Sequence, residues 1–138
     1  MEKIRLGIIG IGNMGSEHCR LILSGQTPEI ALTCVADPRQ DRRDWAQQTL
    51  PAGTGIYADG MSLIRAHACD AVLIATPHYQ HPPLAIEAFR HGKHVLCEKP
   101  AGVYTLQVRD MIAEADKHPE LTFGMMFNQR TNCTYRKM

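Results

Sequence analysis

The sequence has no long apolar run and no visible export signal. None of its hydrophobic segments approaches the ~18 residues that suggest a membrane-spanning helix. The charged residues Glu2 and Lys3 lead directly into an apolar segment, without the separate charged and apolar regions of a signal peptide. We therefore expect a soluble protein that is not exported through such a signal.

Paired cysteines are also missing. The five cysteines stand singly, form no CxxC pair and are odd in number: Cys19, Cys34, Cys69, Cys97 and Cys133. This pattern argues against a disulfide framework and against a zinc site. The seven histidines show no HxxxH or HxH spacing that would supply metal ligands. We expect a protein without a metal site, in the reducing cytoplasm.

The chain has no excess of charge of one sign. Its 15 Lys and Arg residues balance 14 Asp and Glu residues, for a formal net charge of +1. Such a chain creates no field that attracts nucleic acid or an anionic membrane, so a small molecule or another protein is the expected partner. Its 138 residues suit one domain, which buries roughly two-thirds of the surface of the unfolded chain.

The most informative segment is IRLGIIGIGNMG, residues 4–15. Its apolar first half predicts a strand buried on both faces, and its second half has the GxGxxG spacing of dinucleotide-binding turns. We expect Gly10 to make the turn, Gly12 to leave room for a diphosphate, and Gly15 to let the next helix lie close to the strand. The positive end of that helix would then meet the anion. Taken alone, however, three glycines can also make a plain turn.

Predicted strands and helices alternate along the whole chain. The strands are residues 4–9, 30–36, 56–57, 71–75, 94–97 and 121–127. The helices are residues 14–22, 40–50, 61–67, 82–91 and 105–117. Alternation with short connections predicts an α/β fold with a doubly wound parallel sheet of about six strands, a Rossmann fold.

Four of the predicted strands end at a glycine or at polar residues: Gly10, Asp37, Thr76 and residues 98–100. In a parallel sheet these positions share the carboxyl-end rim, where ligands bind. An acid about twenty residues after the glycines accepts hydrogen bonds from the adenosine ribose, so we expect Asp37 to do this. The alternative is that Asp37 and Pro38 only begin the next helix.

Asp37 also bears on the choice of cofactor. A carboxylate there repels the 2′-phosphate of NADP, so NAD is the expected cofactor, with NADP as the alternative. Three nearby arginines could bind that phosphate or could simply form a solvated helix face: Arg39, Arg42 and Arg43.

Two more polar segments fall on the predicted rim. Thr76, Pro77, His78 and His81 suit contact with the diphosphate and the nicotinamide ribose, or they form only a loop and a helix cap. The segment 98–100, Glu-Lys-Pro, places Lys99 at the end of a buried strand. A desolvated cleft with a cationic nicotinamide would lower the pKa of Lys99 and make it a proton donor or acceptor. The alternative is a surface Glu-Lys pair.

Together, GIIGIGNMGSEH (7–18), VADP (35–38), IATPHYQHPPLAIEAFRHGKHVLCEKPAG (74–102) and FNQRTNCTYRKM (127–138) resemble the nucleotide-binding half of the Gfo/Idh/MocA oxidoreductases. This family includes glucose-fructose oxidoreductase and inositol dehydrogenase. The resemblance implies hydride transfer between a sugar or polyol carbon and nicotinamide, with Lys99 as the catalytic residue that contacts substrate and relays a proton. It implies these cofactor-binding residues: Gly10, Gly12, Asn13, Met14, Asp37, Thr76, Pro77, His78, His81, Glu98, Lys99 and Arg130.

The resemblance also implies how the chain divides. Residues 1–127 correspond to the Rossmann domain, and residues 128–138 to the start of a connection, inside the first helix after the sheet. Family members continue into a second α/β domain that supplies the substrate pocket and through which they tend to form homo-oligomers. We therefore expect a fragment that binds cofactor but turns over little or no substrate.

Other functions stay open from the sequence. A cofactor-binding sensor or interaction module would need the same glycines without redox catalysis. A methyltransferase would also use glycines and an acid, but it gives no role to the rim segments at Thr76 and Glu98. Some relatives use a tightly held NAD in a glycosidase mechanism, which is a third alternative.

Overall fold

The computed structural model describes residues 2–137. Its strands are β1 (Ile4–Ile9), β2 (Ile30–Ala36), β3 (Gly55–Tyr57), β4 (Ala71–Ile74), β5 (His94–Glu98) and β6 (Phe123–Met126). Its helices are α1 (Asn13–Leu23), α2 (Gln40–Thr49), α3 (Gly60–Arg65), α4 (His81–Arg90) and α5 (Thr105–Ala115). The predicted alternation of strands and helices is confirmed.

The six strands form one parallel sheet in the order β3-β2-β1-β4-β5-β6. The order reverses at β1, because the chain first builds outward to β3 and then crosses to β4 on the other side. The carboxyl ends of β1 and β4 therefore flank the switch point at which doubly wound sheets bind ligands. The predicted fold class is confirmed.

The sheet is covered on both faces. On one face, Ile8, Leu73 and Cys19 belong to a core under α1 and α2. On the other face, Ile74, Phe89 and Met111 belong to a core under α3, α4 and α5. Successive strand residues point to opposite faces, so the buried half of β1 supplies both cores, with Ile8 on one face and Ile9 on the other.

Two predicted boundaries in the last third of the chain are too long, because local turns end the elements. Helix α5 stops at Ala115, where the N–H groups of Lys117 and His118 bond three residues back in a tighter turn. Strand β6 begins only at Phe123, since the N–H of Leu121 closes a turn onto His118.

The segment after β6 also differs from the prediction of a helix there. Within the described residues it forms two short 3₁₀ turns, Asn128–Thr131 and Tyr135–Lys137, instead of an α-helix. None of the helices in residues 2–137 is both long and apolar enough to cross a bilayer.

Candidate functional site: the carboxyl-end rim

The chain turns at Gly10, between β1 and α1, in a conformation that favours glycine. Its φ is +87°, and a Cβ atom there would lie 2.7 Å from the carbonyl oxygen of Ala75 after β4. A Cβ atom at Gly15 would overlap the carbonyl oxygen of Gly10. Both residues therefore have the predicted structural roles, as the turn and as the close contact of helix and strand.

Open space lies beside Gly12. Apart from Gly12 itself and the adjacent backbone, no atom comes within 4 Å of the point where its Cβ would stand. Gly12 is the N-cap of α1, and no side chain caps this end of the helix. The first N–H groups of an α-helix have no partner within it, so they are available to an anion in this space. The corner fits a diphosphate.

The Asp37 carboxylate joins the glycine turn to the segment after β2. Asp37 is only 6% exposed, and both its oxygens accept backbone hydrogen bonds. Oδ2 accepts from the N–H of Ile11 at 3.0 Å, and Oδ1 accepts from the N–H of Arg39 at 2.9 Å. The N-cap of α2 is Arg39. The alternative that Asp37 only caps that helix is therefore wrong.

Two of the three nearby arginines are engaged within the chain. Arg39 forms an ion pair with Asp41 at 2.6 Å, and Arg43 donates to the carbonyl oxygen of Asp37 at 2.7 Å. Arg42 lies 3.9 Å from the same Asp41 carboxylate. Arg39 is exposed, as the solvated-face interpretation requires, whereas Arg42 and Arg43 are half-buried.

A cavity of about 260 Å³ opens beside Gly10, between the ends of β1, β2 and β4. Pro38 and Thr76 line it. The Thr76 hydroxyl is buried and has no hydrogen-bond partner among the described residues. A buried hydroxyl without a partner is costly, so a ligand that supplies one is favoured here.

Residues that the sequence analysis did not select complete this cavity. Asp59, Met61 and Gln80 line it. Asp59 is the N-cap of α3 and accepts from the N–H of Ser62 at 2.8 Å. The backbone N–H of Ser62, followed by its hydroxyl, lowers the pKa of Asp59. The Asp-x-x-Ser spacing before an apolar pair was the available signal, and it indicates a helix cap instead of a ligand site.

His81 is buried between two loops of the rim. Its Nδ1 lies 2.7 Å from the carbonyl oxygen of Pro100, and its Nε2 lies 2.9 Å from that of Thr76. The side chain thus joins the segment after β4 to the segment after β5. Gln80, not His81, is the N-cap of α4. Both ring nitrogens face backbone oxygens, so His81 supports the rim.

Glu98 and Lys99 differ in burial although they are adjacent. Glu98 is 8% exposed, and its Oε1 lies 2.7 Å from Nε2 of His18 on α1. Lys99 is exposed and precedes a cis peptide bond to Pro100. The described residues thus do not supply the desolvated surroundings that we expected around Lys99. The contact between His18 and Glu98 was missed, because His18 only continued the helical pattern of α1.

The remaining predicted residues fall into two groups. Four are exposed beside the same rim: Asn13, Met14, Pro77 and His78. Arg130 follows β6, which is three strands from β1, and its guanidinium lies 4.7 Å from the ring centre of Phe127. At ~4.8 Å per strand this separates Arg130 from the glycine turn by more than the width of a side chain. Arg130 thus lies away from the glycine turn, but it follows the strand that pairs with β5, at whose end Glu98 and Lys99 stand.

Comparisons with known proteins agree with this geometry. The family model of the Gfo/Idh/MocA group matches residues 4–125. It is described as an oxidoreductase family with an NAD-binding Rossmann fold. An inositol 2-dehydrogenase of Rubrobacter xylanophilus is 38% identical over 99 residues, which are 72% of this chain and 28% of that protein. The rhizopine catabolism protein MocA of Rhizobium meliloti is 36% identical over 120 residues, which are 86% of this chain and 36% of that protein.

Solved structures match nearly the whole chain. A scyllo-inositol dehydrogenase from Lactobacillus casei, with bound NAD(H) and scyllo-inositol, superposes with a TM-score of 0.92 at 26% identity. The match covers 99% of this chain and 39% of that one. The chain thus spans well under half the length of the relatives that it matches.

Proposed function

Since the chain belongs to the Gfo/Idh/MocA family of oxidoreductases and forms its NAD-binding Rossmann fold, we propose that it is the cofactor domain of an NAD-dependent dehydrogenase. The whole protein would oxidise a CH-OH group of a polyol, of the inositol class or a related sugar. The relatives named as inositol dehydrogenases support this substrate class. The 138 residues would bind NAD by themselves.

The observation that carries the proposal is the open corner at Gly12. It lies between a turn that favours glycine and an uncapped helix end, next to a cavity that contains an unpartnered hydroxyl. These features fit a dinucleotide whose diphosphate lies at the corner. Asp37, held by two backbone N–H groups, would accept from the ribose hydroxyls.

Different residues along the rim would contact different parts of the cofactor and substrate. When bound, the nicotinamide ring supplies the acceptor for a hydride. Asn13 and Met14, in the first turn of α1, would line the diphosphate, while Thr76, Pro77 and His78 would line the nicotinamide side. Lys99 would hold or move the proton of the substrate hydroxyl. In the described residues Lys99 is exposed, so substrate and a further domain would have to bury it and thereby lower its pKa.

Residues 1–127 form the cofactor domain in this proposal, and residues 128–138 begin a connection to a domain that contains the substrate pocket. The isolated chain is therefore expected to bind cofactor and to show no dehydrogenase turnover on inositols or sugars. Robust turnover by the 138 residues alone would contradict this division.

We place the protein in the cytoplasm, since its cysteines are unpaired thiols.

Calorimetric titration of the chain with NAD and NADP tests the proposal. We expect NAD to bind at least about tenfold more tightly, because the buried Asp37 carboxylate repels a 2′-phosphate. No heat with either dinucleotide would contradict the cofactor site. Tenfold tighter binding of NADP would contradict the role of Asp37.

Asp37→Asn is expected to weaken NAD binding about tenfold and to narrow the preference over NADP. The amide removes the negative charge, and its NH₂ group cannot accept a hydrogen bond, so one of the N–H groups of Ile11 and Arg39 loses its acceptor. Asp44→Asn, an exposed carboxylate on α2, is the matched control and should change neither affinity. Unchanged discrimination in Asp37→Asn would show that this carboxylate does not select the cofactor.

A second candidate function is NAD-dependent glycoside hydrolysis. A glycosyl hydrolase family 109 protein of Saccharopolyspora erythraea is 32% identical over 142 residues, which cover 97% of this chain and 29% of that protein. A longer form of the protein would distinguish the two candidates. A dehydrogenase reduces added NAD as it consumes a polyol, whereas a hydrolase releases sugar from a glycoside without net reduction.

A further inference from the structure

A buried carboxylate interrupts the apolar pattern of β5. Leu96 belongs to the core under α1, and Cys97 belongs to the core on the opposite face. Because strand residues alternate between faces, Glu98 points to the α1 side, as Leu96 does. Its position at the carboxyl end of the strand places the carboxylate on the rim.

His18 on α1 is the hydrogen-bond partner of this carboxylate. His18 Nε2 and Glu98 Oε1 lie 2.7 Å apart, and their side chains are only 14% and 11% exposed. An ionised carboxylate only accepts hydrogen bonds, so Nε2 of His18 donates. A carboxylate buried to this extent is costly without such a donor. The contact therefore holds the Glu98 side chain against the first helix.

We propose that His18 is a positioning residue, which holds the Glu98 carboxylate as a fixed negative charge on the rim. This charge raises the affinity of the site for the oxidised cofactor relative to the reduced one. The inference rests on the proposed function, because it requires a nicotinamide cofactor at this rim.

The reason is electrostatic. The nicotinamide ring carries a positive charge in NAD⁺ and none in NADH, so a nearby carboxylate attracts only the oxidised ring. A carboxylate that is largely buried is screened much less by salt than an exposed one.

The other charged groups near Glu98 contribute less than its carboxylate to the electrostatic field at the rim. Lys99 is exposed, so solvent screens its opposing charge. On α1, Glu17 and Arg20 are exposed and form an ion pair with each other. His81 begins α4, which packs on the opposite face of the sheet from α1, and it lies between two backbone carbonyls.

The ratio of the dissociation constants of NADH and NAD⁺ tests the proposal. Both are titrated against the 138-residue chain in the same buffer. Glu98→Gln removes the charge with little change of shape, and it should lower the preference for NAD⁺ about tenfold, or ~1.4 kcal/mol. Glu17→Gln, on the exposed side of α1, should leave the ratio unchanged.

Two substitutions of His18 distinguish a positioning role from a purely structural one. His18→Ala removes the donor and should lower the NAD⁺ preference about threefold, because the carboxylate can then turn toward solvent. His18→Gln keeps an N–H donor and should restore most of the preference. Thermal melts by circular dichroism establish that each variant is folded.

The outcomes distinguish this inference from the proposed function. If the wild-type chain binds neither NAD⁺ nor NADH, the proposed function itself fails. If Glu98→Gln and His18→Ala weaken both forms equally, the cofactor site stands but the pair is only structural, and the inference is wrong. A ratio that falls in both variants and recovers in His18→Gln supports it.

Discussion

Gly12→Ala is expected to reduce NAD affinity about 100-fold, or ~2.8 kcal/mol, while it leaves the fold as stable as before. Apart from the adjacent backbone, no atom lies within 4 Å of the added methyl group, and Gly12 has a φ of −66°, outside the left-handed region. The variant should therefore fold normally. The methyl group would instead occupy the space in which the diphosphate approaches the first turn of α1.

Calorimetry measures the affinity of the variant for NAD, and a thermal melt measures its stability. Gly124→Ala is the matched control, because it adds the same methyl group on β6, where the nearest atom is the flexible Leu96 side chain at 3.3 Å. It should bind NAD as the wild type does. If Gly12→Ala also binds NAD normally, the diphosphate does not lie at this corner.

Gly15→Ala is expected to have the opposite effect, a large loss of stability. Its Cβ would overlap the backbone carbonyl oxygen of Gly10 and lie 2.9 Å from the carbonyl carbon. Backbone atoms cannot move aside as a side chain can, so α1 must shift away from the turn. We expect a loss of roughly 3 kcal/mol or more, out of a total of about 5–15 kcal/mol.

Thermal and urea unfolding measure this loss. A decrease of roughly 10 °C or more in Tm is expected for a domain of this size, and failure to accumulate as folded protein would be the extreme form of the same result. The reference is Gly12→Ala, which adds a methyl group three residues away on the same turn. Equal melting temperatures for the two variants would contradict the close contact of α1 and β1.

The fold was predictable because its signals are local. The apolar runs of β1, β2 and β4 stand between glycines, prolines and polar residues, and the helices between them have their own periodicity. Alternation then leaves a doubly wound parallel sheet as the main solution. The errors were at element ends, such as 121–122 before β6, where hydrogen bonds within a turn compete with the strand.

The candidate site was predictable only in part. The roles of Gly10 and Gly15 follow from spacing, because a turn and a close helix contact need residues without side chains. The link from Asp37 to Ile11 joins residues 26 positions apart. No local pattern shows where both oxygens of such a carboxylate bond, and so the helix-cap alternative could not be excluded beforehand.

The sequence by itself determined the α/β class, the glycine turn and the family resemblance, because each depends on residue types at short, fixed spacings. Only the tertiary structure decided which distant side chains meet. It paired His18 with Glu98, 80 residues apart, enclosed His81 between two loops and left Lys99 exposed. The physical reason is that burial and partnership arise from packing between elements, which periodicity along one element does not encode.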